Sequence, residues 1–95
     1  MKAVFRFTVK KEKIEEFTRI ASELVAKART DAGCIVYELF QDQKEKQCFA
    51  IIEEWESPEA FKAHTEAPHS TELGPLLDTT LEKFPPEANF YDRVC

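Results

Sequence analysis

A chain of 95 residues has room for one core, so residues 1–95 read as a single domain. Its 13 basic residues are outnumbered by 18 acidic ones and scattered among them. The resulting net charge of −5 excludes a phosphate-tracking nucleic-acid surface and disfavours an anionic membrane.

Hydrophobic residues at 43% and charged residues at 33% suit a folded globular domain. So short a chain buries only about 60–65% of its unfolded surface, and a partner subunit would help it. Eight phenylalanines point to a core or cavity walled by aromatic rings. No apolar run reaches the length of a membrane span, and Arg6 interrupts the N-terminal apolar stretch where a signal peptide would need it to continue. The expected compartment is the cytoplasm. Cys34, Cys48 and Cys95 are odd in number and lack a C-x-x-C pair. They read as reduced thiols, two of them buried in strands, and not as a disulfide frame or zinc site.

In chain order, residues 2–9 alternate loosely and are rich in β-branched and aromatic residues, which predicts a strand. Over residues 12–31, Ile14, Phe17, Ala21, Leu24, Val25 and Ala28 form one stripe of an amphipathic helix. Gly33 supplies a left-handed cap after it. Residues 34–41 and 47–56 are strands joined by a polar turn. The middle of the later strand is apolar on both faces, so helices are expected to cover one sheet face and a second copy of the sheet the other. Ser57 fits an N-cap and Pro58 a first helical position, giving a short helix over residues 58–66 that Pro68 breaks. A third helical stretch runs to about Lys83, kinked or split at Gly74-Pro75. Residues 88–94 form a last strand. This order predicts an α+β, ferredoxin-like split β-α-β unit with a four-stranded antiparallel sheet.

The segment from Glu53 to His69 holds the only tryptophan and both histidines. Glu53 shares a strand face with Phe49, Ile51 and Trp55. Under the helices it would be buried with a raised proton affinity; at the sheet rim it would be solvated. Trp55 is a core residue, a cavity wall, or both. His64 falls on the apolar face of Phe61 and Ala60. A histidine there is either structural or the chain's proton-transfer group near neutral pH. His69 caps the next helix, reaches the same cavity, or lies at the surface. Five residues apart on one helix, the two histidines would diverge by about 140°, so no metal site is expected. No glycine-rich phosphate loop, G-x-S-x-G elbow or Cys/His pair is present.

Glu53-x-Trp55-x-Ser57, His64 and Pro68-His69, together with Gly33-Cys34-x-x-Tyr37, resemble the antibiotic biosynthesis monooxygenase domain, nearest to its quinol-monooxygenase-like members. The resemblance runs over nearly the whole chain. It implies a homodimeric α+β barrel built from two four-stranded sheets, with a pocket between sheet and helices in each subunit. It also implies oxygenation of a small hydroquinone or phenol by molecular oxygen, with no metal or flavin cofactor. On that likeness His64 is the base or orients the hydroxyl. Tyr37, Trp55 and Phe61 wall the ring, and Glu53 or His69 tunes or relays protons.

Haem-degrading relatives carry an asparagine in the first strand and a tryptophan on the short helix. Here Phe5, Arg6 and Phe7 stand in that strand and His64 on that helix, which argues against haem degradation. An isomerase of a phosphorylated quorum signal shares the His64-x-x-x-Pro68-His69 pattern. That alternative needs a phosphate-binding cation, for which Arg6 is the candidate. A third reading is a non-catalytic dimeric domain that binds a small aromatic ligand.

Overall fold

The computed structural model describes residues 1–95. Its elements are β1 (Lys2–Thr8), α1 (Ile14–Ala28), β2 (Cys34–Gln41), β3 (Cys48–Trp55), α2 (Pro58–Glu66), α3 (Pro68–Asp78) and β4 (Glu87–Tyr91), with a 3-10 turn at Lys11–Lys13 leading into α1. The strands form one antiparallel sheet in the order β2-β3-β1-β4. This is the α+β, ferredoxin-like arrangement expected from the element order.

Period-two alternation decides which side chains meet the helices. On β3, Phe49, Ile51, Glu53 and Trp55 are buried while Cys48, Ala50, Ile52 and Glu54 are only half-buried. Register then aligns Tyr37 with Glu53, Leu39 with Ile51, and Phe7 with Phe49 on the covered face. Helix α1 buries Phe17, Ile20, Ala21, Leu24, Val25 and Ala28 against this face. Leu73 and Leu77 of α3 complete the core with Val9 and Leu81, which bridge each other beyond the strand ends.

The opposite sheet face is uncovered by the chain itself. Half-buried Val4, Ala50 and Ile52 share it with exposed Phe40 and Tyr91, and Arg6 bonds Asn89 across it at 3.1 Å. The strand thiols are likewise not fully buried: Cys34 and Cys48 are half-exposed and unpaired.

Two local features place the site. Ser57 caps α2, its hydroxyl accepting from the Ala60 N–H at 3.1 Å, and Pro58 opens the helix. Gly33 has φ +82°, and a Cβ there would come within 2.6 Å of Ala60 Cβ. The turn after α1 therefore rests directly on α2, pinned by the Glu56 N–H donating to the Gly33 carbonyl at 2.8 Å.

The last helix and the last strand differ from expectation. Helix α3 runs unbroken through Pro75, which forfeits one backbone bond without splitting it. It ends at Asp78 and not near Lys83, because Thr79 and Thr80 turn back onto the helix end and Leu81 is drawn to Val9. Strand β4 stops at Tyr91, where pairing with β1 ends at Lys2.

A candidate active-site cavity

A cavity of about 230 Å³ lies between the sheet and the helices. Phe5, Phe7, Leu24, Ile51, Phe61 and Leu77 form its apolar wall. Tyr37, Glu53, His64 and Ser70 bring polar atoms to it.

Glu53 is 2% exposed. The Trp55 indole Nε1–H donates to its Oε1 at 2.8 Å. Burial raises the Glu53 carboxyl from its ordinary 4.5 to about 7, against the opposing pull of the indole hydrogen bond. Burial and the adjoining Glu53 also raise the Tyr37 phenol well above its usual range.

His64 is 6% exposed. Its ring stacks at a tilt on Trp55, centroids 4.7 Å apart, and meets the edge of Tyr37 at 5.3 Å. Its Nδ1 lies 2.8 Å from Asp31 Oδ2, and His69 Nε2 lies 2.7 Å from the same oxygen. A carboxylate oxygen only accepts, so both imidazoles donate to it. Burial lowers the His64 pKa, with the Asp31 hydrogen bond opposing and the His69 ring assisting.

Of the anticipated residues, Glu53, His64, Tyr37 and Phe61 meet at the cavity. Trp55 does not line it. Fully buried, it stands behind His64 and holds Glu53. The histidines do not diverge. Ala67 is extended (φ −65°, ψ 149°), ending α2 and starting α3, so the two rings swing onto one carboxylate. His69 reaches Asp31 and not the cavity wall. Arg6 lies on the other sheet face, in a depression of about 420 Å³ with Phe40, Asp42 and Glu87. Strand alternation sends it away from Phe5 and Phe7, so it is not available to hold a phosphate in this cavity.

Asp31 is the residue that sequence reasoning missed. It was visible only as the end of a helix, because its histidine contacts span 33 and 38 residues. Its carboxylate oxygen and the two imidazole nitrogens lie within 4.8 Å of one another.

The Glu53 shift makes a signed prediction. A carboxyl raised in the folded state contributes stability that is fully present below about pH 4.5 and lost as pH rises through about 7. The span is about 3 kcal/mol. His64, with a lowered pKa, acts oppositely: its contribution is present above 6.5 and lost as pH falls. Glu53→Gln should therefore flatten the loss of stability between pH 5 and 8 in urea titrations. An unchanged pH slope in that variant would remove Glu53 as its source.

A helix layer over one face of a four-stranded antiparallel sheet, enclosing an acid and an imidazole in an apolar cavity, defines a ferredoxin-like α+β protein with an internal candidate site. The model of the antibiotic biosynthesis monooxygenase family matches residues 1–73, and the chain belongs to that family.

A Bacillus subtilis (strain 168) protein named "Putative monooxygenase YcnE" is 39% identical over 61 residues, 64% of this chain. The uncharacterized protein sll1783 of Synechocystis is 30% identical over 83 residues, 87% of this chain. The matched stretches span 64% and 56% of those two relatives, less than two thirds of either. A crystal structure of an antibiotic biosynthesis monooxygenase superposes with a TM-score of 0.93 at 32% identity, covering 99% of this chain and 98% of that one. A conserved protein from Methanosarcina mazei Go1 gives a TM-score of 0.91 at 30% identity, over 95% and 88% of the two chains.

Proposed function

We propose that the protein is a cofactor-independent monooxygenase of a small hydroquinone or phenol, with His64 as the base that takes the hydroxyl proton. The observation that carries this reading is an imidazole opening onto an apolar, aromatic-walled cavity beside a second proton site, Glu53. His64 Nε2 has no hydrogen-bond partner in the protein, yet no side-chain nitrogen or oxygen is sealed and unsatisfied, so Nε2 keeps some accessible surface on a residue that lines the cavity.

Triplet oxygen reacts slowly with closed-shell organics but accepts one electron from an electron-rich phenolate. On this reading, His64 Nε2 removes a hydroxyl proton from the hydroquinone. The anion passes one electron to oxygen, and superoxide joins the ring radical through a new C–O bond. The peroxide oxygen is protonated by the His64 imidazolium. The ring carbon then loses its proton, the O–O bond breaks, and water leaves. One oxygen atom stays as a hydroxyquinone and the other becomes water. No external reductant is consumed. The dry walls of Phe5, Phe61 and Leu77 keep water from the radical pair. Tyr37 and Phe61 flank the substrate ring.

The open sheet face, with Val4, Ile52, Phe40 and Tyr91, is proposed as the contact with a second copy, closing an α+β barrel. Sedimentation should give twice the chain mass; a monomer at micromolar concentration contradicts it.

Oxygen uptake with a small hydroquinone tests the reaction. Uptake should exceed the rate of spontaneous autoxidation and be unchanged by a chelator. Saturable aromatic binding without turnover would make the domain a binder. Uptake abolished by the chelator would bring a metal into the chemistry.

A further inference from the structure

His64 can serve as a base at Nε2 only if its ring proton sits on Nδ1, and a solvated histidine side chain favours the other tautomer. The structure supplies a device for this outside the cavity wall. Asp31, on the turn after α1, is 33 residues from His64 in sequence, and its Oδ2 accepts from Nδ1 at 2.8 Å. That turn is itself fixed, since Gly33 sits too close to Ala60 for any side chain. The same Oδ2 accepts from His69 Nε2 at 2.7 Å. His69 thus anchors the carboxylate from α3 while His64 is held from α2. Asp31 does not border the cavity and cannot touch a molecule bound there.

We propose that Asp31 is a positioning residue: it fixes His64 in the Nδ1–H tautomer with Nε2 bare toward the cavity, and His69 holds Asp31 in place. A divalent cation on the same three side chains is the competing use of this cluster. Tetrahedral zinc bonds of about 2.0–2.1 Å would set nitrogen–oxygen edges near ~3.3 Å. The observed 2.8 and 2.7 Å are hydrogen-bond lengths and need no rearrangement.

The tautomer statement stands on geometry alone; only its effect on turnover rests on the oxygenase reading. The test is long-range proton–nitrogen NMR of the nitrogen-15-labelled protein without substrate, above the titration of His64. The wild type should show protonated Nδ1 and unprotonated Nε2 at His64. Asp31→Ala should move the proton to Nε2, and His69→Gln, which keeps a donor to Asp31, should leave the wild-type pattern. A wild-type His64 protonated at Nε2 overturns the proposal even if no variant folds. So does an Asp31→Ala spectrum that keeps Nδ1 protonated. One equivalent of zinc ion that shifts the ring nitrogens of both histidines as ligands overturns it in favour of a metal site. Where hydroquinone oxidation is measurable, Asp31→Ala should lower kcat by about 10²-fold or more. The expected tautomer with no oxygen uptake would count against the reaction and leave the assignment of Asp31 intact.

Discussion

His64→Gln should lower kcat for hydroquinone oxidation by about 10²–10⁴-fold, the range that a positioned general base contributes. Glutamine is close in length but carries its amide nitrogen near the position of Nε2, so the titratable nitrogen is lost together with the Nδ1 donor to Asp31. The side chain is 6% exposed and packs on Trp55, Tyr37 and Phe61, so a folded variant with native near-ultraviolet dichroism is the required control. KM should change little, because the aromatic wall that binds the ring is intact. Turnover within a factor of two of wild type would show that His64 is a structural histidine.

Trp55→Ala should be the most destabilising single substitution considered, costing about 3–5 kcal/mol in urea unfolding. Trp55 is fully buried and touches three other rings, so nothing nearby collapses easily into the space it leaves. The substitution also removes the only hydrogen-bond donor to Glu53, leaving a buried carboxyl unpaired. Trp55→Phe separates the two effects. It keeps most of the ring packing and deletes only the N–H, so the Glu53 pKa should rise further, since the indole bond is what pulls it down. A midpoint unchanged in Trp55→Ala would mean that the core does not depend on this ring.

The elements that local patterns control were legible. Ser57-Pro58 fixed the start of α2, and the α1 stripe from Phe17 to Ala28 named the buried face with only Ile20 unforeseen. Alternation on β3 put Glu53 and Trp55 on one face; which face the helices covered made Glu53 buried and not solvated. Arg6 was legible too, since it alternates with Phe5 and Phe7, but placing it near the cavity ignored that period. The convergence of His64 and His69 was not readable from helix spacing. It depends on one extended residue, Ala67, resetting the chain direction between two helices. Asp31 was hidden for a different reason. Nothing local marks it, and its position follows from a turn docking on a helix about 30 residues later in the chain.

The most direct test of the central claim is a single turnover of a small hydroquinone under oxygen-18 gas, quenched rapidly and analysed by mass spectrometry. A cofactor-free monooxygenase predicts one labelled atom in the hydroxyquinone product and the other in water, at a rate that falls sharply in His64→Gln. Labelled peroxide with an unlabelled quinone, or a rate indifferent to His64, would contradict it.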